Sequence, residues 1–217
     1  MPPLTVADHP LICHKLTLLR DRETPAPTFR QLLRELGQLL ICEATRDLPT
    51  AERCVETPLQ PTQAPLLAGR KPAVISILRA GNGLLDGALD LIPFARVGFV
   101  GLYRDETTLQ PVQYYFKVPG ALQARVVFVV DPMLATGNSA AAAVSLLKQA
   151  GARDIRFLCV LAAPEGVARM HDAHKDVPII AAALDERLNE AGYILPGLGD
   201  AGDRMYGTGS AAVAETG

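Results

Sequence analysis

The chain has few cysteines, and they are scattered. Its 217 residues include Cys13, Cys42, Cys54 and Cys159, and no two of them form a C-x-x-C pair. Disulfide frameworks and zinc sites need cysteines at characteristic spacings. The pattern therefore argues against both and favours reduced thiols in a cytosol. We predict that all four side chains are small buried hydrophobic groups.

Neither sign of charge dominates, and long hydrophobic runs are missing. The chain has 21 Lys and Arg against 23 Asp and Glu, a net charge of −2. Binding a nucleic-acid backbone through a general positive field needs a basic excess, so we expect no nucleic-acid partner. Charge, proline or glycine interrupts every apolar run before it could cross a bilayer, and the N-terminus lacks a signal-peptide pattern. We expect a cytoplasmic protein without a membrane segment.

A P-loop triplet of Gly-Lys-Ser/Thr is also missing, which argues against a nucleoside triphosphate as the ligand. The chain instead has an apolar strand at 126–130 that leads through Asp131 and Gly137 into an Ala-rich helix at 139–150. The first backbone N–H groups of a helix are unpaired and lie at the positive end of its dipole, so they bind phosphate. Loop 131–139 therefore predicts a phosphate site at the carboxyl end of a strand. The alternative is a crossover that serves only as scaffold.

Strand-like apolar runs alternate with helix-like segments along the chain. Strands are predicted at 52–57, 73–78, 96–103, 126–130, 155–161 and 177–183, and helices at 28–46, 84–91, 139–150 and 165–173. Thr28 and Gln31 have the spacing of a capping box at the start of the first helix. Such alternation is typical of an α/β fold with a mostly parallel central sheet flanked by helices. We expect one domain over 1–217, with a disordered tail at 209–217.

Two further strand ends carry arginines. Arg79 lies in a loop where Gly81 and Gly83 allow close backbone approach, and its guanidinium suits bidentate phosphate binding. Arg104 follows the strand at 96–103. By itself Arg104 would be interpreted as a surface arginine paired with a neighbouring carboxylate.

The segment 191–204 is too rich in glycine for a helix or a central strand. It exposes backbone donors and acceptors that a planar heterocycle can use, with Tyr193, Ile194 and Leu198 available to cover its faces. The alternative is a plain surface turn.

Local spacing provides no set of residues for nucleophilic catalysis or for a metal site. His171 and His174 lie three residues apart on a predicted helix, but no third histidine is near them. We therefore favour a solvated helix face over a metal site. No Ser-His-Asp set, pair of catalytic carboxylates or cysteine cluster can be assembled.

Four motifs taken together resemble the uracil phosphoribosyltransferase family. They are Ile77-Leu78-Arg79-Ala80-Gly81, Tyr103-Arg104, Asp131-Pro132-Met133-Leu134-Ala135-Thr136-Gly137 and Tyr193-Ile194-Leu195-Pro196-Gly197-Leu198-Gly199-Asp200-Ala201-Gly202. The likeness covers nearly the whole chain. It implies a type I phosphoribosyltransferase fold with a small hood formed by the N- and C-terminal segments. It also implies a reaction of pyrimidine salvage, in which the 5-phosphoribosyl group of 5-phosphoribosyl 1-diphosphate (PRPP) moves to N1 of uracil, giving UMP and diphosphate.

The resemblance implies roles for individual residues. Arg79, Arg104 and Asp131 would be catalytic, the arginines on the diphosphate and the carboxylate on the ribose hydroxyls. Uracil would be bound by Tyr193, Ile194, Gly199, Asp200 and Ala201. PRPP would be bound by Arg79, Arg104, Asp131, Pro132, Met133, Leu134, Ala135, Thr136, Gly137, Asn138, Ser139 and Asp200.

The resemblance further implies Mg²⁺ bound mainly through PRPP, GTP as a candidate effector, and a homodimer or homotetramer. The chain departs from the family pattern at Asn138, where glycine is usual, and at Asn82, where an apolar residue is usual. Because asparagine tolerates left-handed backbone, we predict that the loops keep their shape. The alternative function is a nucleotide-sensing regulatory protein on the same fold that binds RNA, which would require a basic face. A purine enzyme is disfavoured by the segment 193–202.

Overall fold

The computed structural model describes residues 4–104 and 111–209. Its helices are Pro10–Arg20 (α1), Ala26–Ala44 (α2), Asn82–Leu91 (α3), Asn138–Gln149 (α4), Pro164–Ala173 (α5) and Ala201–Tyr206 (α6). Its strands are Leu4–Val6 (β1), Thr50–Glu56 (β2), Pro61–Leu67 (β3), Ala73–Leu78 (β4), Arg96–Arg104 (β5), Pro111–Lys117 (β6), Val126–Val130 (β7), Met133–Leu134 (β8), Asp154–Ala162 (β9), Ile179–Leu184 (β10), Arg187–Leu188 (β11) and Ile194–Leu195 (β12). The predicted disordered tail, apart from Gly209, lies outside the described residues.

One sheet organises the fold. Its strand order is β1-β10-β9-β7-β4-β5-β6, with β8 paired to β9. The pairs are parallel except β5 with β6, which is antiparallel. The α/β fold with a mostly parallel central sheet is therefore confirmed.

The central strands are apolar on both faces because each face packs on its own layer of helices. Along β4, Val74 packs into the core formed with α1, α2 and α3, while its neighbour Ile75 packs into the core formed with α4 and α5. Phe128 and Val129 of β7 divide between the same two cores. Such strands appear in sequence as continuous apolar runs, which is why β4 and β7 were predicted with the correct bounds.

Some predicted elements differ in the structure. The strand predicted at 52–57 pairs with β3 in a largely exposed antiparallel hairpin, apart from the central sheet. The capping box at Thr28 was wrong, because α2 already begins at Ala26 after Pro25 and has no side-chain cap. Helix α1 was missed, although His9 Nδ1 accepts the N–H of Leu11 at its start.

The four cysteines are free thiols, but only one of them is buried. Cys159 lies on the central strand β9, where burial raises the pKa of its thiol. Cys13, Cys42 and Cys54 are exposed on α1, α2 and β2, so their predicted burial was wrong. Among the described helices, none combines the length and the apolar character that a membrane crossing requires.

The N-terminal helix packs against the C-terminal segment, as the predicted hood requires. Arg204 of α6 donates hydrogen bonds from Nη1 to the carbonyl oxygens of Leu19, at 2.7 Å, and Leu198, at 2.9 Å. Its guanidinium also lies over the ring of Phe29, 4.5 Å from the centroid. One partly buried arginine thus joins α1, α2 and the glycine-rich segment.

Helices α2 and α3 cross at two glycines. A Cβ atom on Gly87 would lie 1.9 Å from the carbonyl oxygen of Arg34, and one on Gly37 would lie 2.6 Å from that of Leu84. Both distances are below the 3.0 Å under which real Cβ contacts are essentially never found, so the crossing requires glycine. Because α3 directly follows the Arg79 loop, this crossing also locates one wall of the site described below.

Gly87→Ala is expected to destabilise the fold by about 1–3 kcal/mol, because the added methyl group must push the two helix backbones apart. The measurement is the free energy of unfolding from urea denaturation. Gly120→Ala is the matched control, since a Cβ atom there meets nothing within 4 Å. An equal midpoint for the two variants would contradict the prediction.

Candidate active site

The loops that follow β4 and β7 meet the glycine-rich segment around one cavity of about 470 Å³. Strands β4 and β7 are parallel neighbours, so both loops emerge at the same edge of the sheet. The predicted site residues that line the cavity are Arg79, Asp131, Met133, Leu134, Ala135, Thr136, Gly137, Ser139, Tyr193, Ile194, Gly199, Asp200 and Ala201. The structure thus brings together three motifs that are far apart in the chain.

Two predicted residues do not line this cavity, and the side chain of a third is not described. Pro132 is buried behind the loop. Asn138 directs its side-chain oxygen to Nε of Arg169 on α5, at 3.1 Å. The backbone of Arg104 ends β5, and its side chain lies outside the described part of the chain. Their contacts with PRPP stay predictions.

Five lining residues were missed as individual candidates: Ala80, Ala140, Ala191, Gly192 and Gly202. Four of them are next to a predicted site residue in sequence, and Ala191 lies two residues before Tyr193. Small side chains at a cavity wall leave no chemical signal in a sequence. Their proximity to the motifs was the one signal that could have identified them.

Gly137 is required by the backbone of loop 131–139. It precedes α4 with φ +76°, and a Cβ atom there would lie 2.7 Å from the carbonyl oxygen of Gly166. The left-handed residue is therefore Gly137, and Asn138 is already the first residue of the helix. The expected tolerance of Asn138 for left-handed backbone is not needed. The N–H of Asn138 donates to Oγ1 of Thr136 at 3.5 Å, and the next N–H groups of the first turn remain available for an anion.

Asp131 is held at the mouth of the same loop. The backbone N–H of Met133 donates to its Oδ1 at 3.2 Å. Burial, with a smaller contribution from the charge of Asp200, raises the pKa of the Asp131 carboxyl to about 7, and the Met133 N–H opposes the rise. A carboxyl group in this state is a strong acceptor only above neutral pH.

An ion pair beneath the glycine-rich segment was not predicted. Arg20 donates from Nη1 to Asp185 at 2.8 Å and to the carbonyl oxygen of Gly197 at 2.8 Å, and the Gly197 N–H donates to Asp185 at 2.9 Å. Asp185 is buried, so removing one partner would leave an uncompensated charge. The two residues are remote in sequence, and neither stands in a recognisable motif.

The glycine-rich segment contains more regular secondary structure than predicted. It contains β12, which pairs with β11, and it leads directly into α6. Asp200 caps α6 by accepting the N–H of Asp203 at 2.8 Å. The prediction that no part of 191–204 is helical was therefore wrong from Ala201 onward.

The predicted solvated face at His171 and His174 was also wrong. Both residues are buried, and His174 contacts α4. His174 Nε2 lies 2.9 Å from the carbonyl oxygen of Ala141 and 3.1 Å from Oγ of Ser145. Within 4–104 and 111–209, no group of three or more His, Cys, Asp or Glu side chains could hold a metal ion.

The cavity nevertheless suits a cation that arrives with its ligand. Asp131 and Asp200 both line it, close enough for the charge of one to affect the pKa of the other. Mg²⁺ is commonly bound by one or two carboxylates together with substrate phosphates. These residues therefore fit Mg²⁺ that is held mainly by a diphosphate.

Comparisons with known proteins agree with this geometry. The family model described as uracil phosphoribosyltransferase matches residues 6–208. A protein of that name from Paracoccus denitrificans is 67% identical over 205 residues, which cover 94% of this chain and 97% of the relative.

Solved structures show the same fold. A protein from Aquifex aeolicus superposes with a TM-score of 0.91 at 38% identity, covering 96% of this chain and 100% of its own. An adenine phosphoribosyl transferase from Trypanosoma brucei superposes with a TM-score of 0.56 at 12% identity, covering 85% of this chain and 84% of its own. At that identity the likeness supports the type I phosphoribosyltransferase fold alone. The full-length family match and the close relative together establish that this chain belongs to the uracil phosphoribosyltransferase family.

Proposed function

We propose that the protein transfers the 5-phosphoribosyl group of PRPP to N1 of uracil and releases diphosphate. The observation that carries the proposal is the single cavity in which a helix N-terminus, an arginine loop and a glycine-rich segment meet. The first suits a phosphate, the second a diphosphate and the third a flat base. A phosphorylated sugar with a base at its anomeric carbon would touch all three.

The 5′-phosphate would bind at the start of α4. The backbone N–H groups from Thr136 to Ser139 would surround this position, and Gly137 leaves room for close approach. Asp131 precedes the same loop, so its carboxylate would accept the ribose hydroxyls next to that phosphate.

The diphosphate would bind on the side of β4 and β5. Arg79 lines the cavity after β4, and Arg104 ends the neighbouring strand β5. Two guanidinium groups suit the negative charge that grows on the leaving oxygens.

Uracil would bind against the glycine-rich segment. Backbone groups of Ile194, Gly199 and Ala201 would read its acceptor-donor-acceptor edge, with Tyr193 covering one face. Cytosine reverses the last two positions, so fixed backbone partners would be left unpaired. We therefore expect selectivity for uracil over cytosine.

The chemistry would depend on charge stabilisation and positioning. Departure of diphosphate leaves positive charge on the ribose C1, so the arginines would act on the leaving group while the cavity holds uracil N1 in line. Asp131 would hold the ribose between the two. Bound with the diphosphate, Mg²⁺ would supply further neutralisation of its charge. No protein nucleophile is needed.

Finer properties are part of the same proposal. We place the enzyme in the cytoplasm, which suits its free thiols, and treat 1–217 as one domain. The exposed leucines of the β2–β3 hairpin, Leu59, Leu66 and Leu67, support a homodimer or homotetramer. GTP as an effector rests on the family resemblance. Nothing among the reported relatives supports the RNA-binding alternative.

Purified protein incubated with labelled uracil, PRPP and Mg²⁺ is expected to form UMP, and cytosine is expected to give no product. Adding GTP in parallel tests the effector.

Arg104→Ala should lower kcat about 100-fold or more, because the positive charge that stabilises the departing diphosphate is removed. Uracil should remain the preferred base. Normal turnover in this variant would count against the assignment of Arg104. RNA retention on filters without UMP formation would favour the regulator.

The raised pKa of Asp131 predicts a pH dependence. Above about pH 7 the carboxyl group is ionised and accepts ribose hydroxyls, whereas below about pH 7 it is protonated and loses acceptor capacity. Asp131→Asn should weaken PRPP binding about 10-fold or more at pH 8, since hydrogen bonds to charged groups are strong. The difference between wild type and variant should shrink towards pH 6. Calorimetry measures the PRPP affinity of wild type and variant at each pH. Unchanged affinity of the variant at pH 8 would refute the contact of Asp131 with the ribose hydroxyls.

Gly137→Ala is expected to weaken PRPP binding at least about 10-fold, because a methyl group there both strains the left-handed backbone and displaces the loop from Gly166. Gly69→Ala is the matched control. Gly69 has a similar φ of +81°, but a Cβ atom on it meets nothing within 4 Å. Similar PRPP affinities for the two variants would show that the close approach to Gly166 is not needed.

A further inference from the structure

The loop that carries Arg79 touches the last turn of α6 through one tyrosine. The hydroxyl of Tyr206 donates to the carbonyl oxygen of Arg79 at 3.1 Å. The guanidinium carbon of Arg79 lies 5.7 Å from the centroid of the Tyr206 ring, within the range of a cation–π contact. The same side chain therefore contacts both the backbone and the charged group of Arg79.

Asn82 orients the tyrosine hydroxyl. Its Oδ1 accepts from Oγ of Ser76 at 2.9 Å, and its Nδ2 donates to the Tyr206 hydroxyl at 3.4 Å. Ser76 is fully buried on β4, so its hydroxyl needs this partner. With its oxygen engaged by Ser76, the Asn82 amide presents its N–H group to Tyr206. The tyrosine hydroxyl then accepts from Asn82 and is free to donate to Arg79.

These bonds form one directed chain from Ser76 to Asn82, Tyr206 and Arg79. Hydrogen bonds that follow one another with the same polarity strengthen each other. The chain also joins the two sides of the cavity. Tyr206 ends α6, the helix that starts within the glycine-rich segment, and Arg79 begins the loop proposed to bind the diphosphate.

Packing alone does not account for this arrangement. Tyr206 is 40% exposed, so water could satisfy its hydroxyl without Arg79. Asn82 lies in the first turn of α3 and is only half-buried, and an apolar residue could occupy the position. The polar side chain at 82 is what determines the direction of the tyrosine hydroxyl.

We propose that Tyr206 is a positioning residue for Arg79, and that Asn82 acts through the Tyr206 hydroxyl. The inference rests on the proposed function, in which Arg79 binds the diphosphate of PRPP. A guanidinium group held in place before the substrate arrives loses less freedom on binding. Loss of the chain should therefore affect PRPP more than uracil.

Tyr206→Phe removes the hydroxyl and retains the ring, and Asn82→Leu removes the amide at similar size. Each variant should raise the KM for PRPP about three- to tenfold, the range of one or two hydrogen bonds, with the KM for uracil nearly unchanged. Because Asn82 acts through Tyr206, the double variant should be no worse than Tyr206→Phe alone. PRPP affinity from calorimetry should follow the same pattern.

Gln38→Leu is the matched control for the loss of an amide. Its side chain donates to Asp90 at 2.8 Å on α3, away from the cavity, so its PRPP kinetics should equal those of wild type. Urea denaturation checks that each variant is folded. Tyr206→Phe keeps the test decisive if Asn82→Leu does not fold, because Tyr206 is exposed.

Three results would overturn the inference: unchanged PRPP affinity in Tyr206→Phe, additive effects of the two substitutions, or equal rises in both KM values. Arg79→Ala separates this failure from failure of the proposed function. If Arg79→Ala loses PRPP affinity while Tyr206→Phe does not, only the positioning role is wrong. If Arg79→Ala binds PRPP normally, the assignment of Arg79 to the diphosphate is wrong as well.

Discussion

The parallel pairing of β4 with β7 is the constraint on which the site depends. Ser76 lies opposite Val130 in this register, so Arg79, three residues after Ser76, and Asp131, directly after Val130, leave the sheet at the same edge. Both strands are buried on both faces, and a slip in register would move apolar side chains of each into the wrong core. The packing of the sheet therefore determines how close Arg79 lies to loop 131–139.

The glycine-rich segment forms the third wall of the cavity. Charged side chains hold this segment in place by binding its backbone. Arg20 and Asp185 bind the backbone at Gly197, and Arg204 binds the carbonyl oxygen of Leu198. A glycine-rich segment loses much conformational entropy when it becomes ordered, and these bonds offset that cost. The segment can then present fixed backbone groups to the cavity that it lines.

Most of the sheet and the cavity loops could be predicted because their signals are local. The run 126–130 and the Asp131-to-Gly137 motif are contiguous, so their consequence for structure follows from the residues themselves. Burial of His171 and exposure of Cys13 could not be predicted in this way. Both depend on which face of a helix meets a neighbouring element, and that face is chosen by the packing of the whole domain.

The sequence by itself determined the α/β class, the strand-to-helix turn at 131–137 and, through the resemblance of its motifs, the family to which the chain belongs. The first two follow from short patterns whose conformation is set by local sterics and hydrogen bonding. Only the tertiary structure decided that Tyr206 reaches Arg79, that Arg20 pairs with Asp185, and that Asn82 takes part in a polar chain. Such contacts join residues that are distant along the chain, and they exist only after the sheet and its helices have packed.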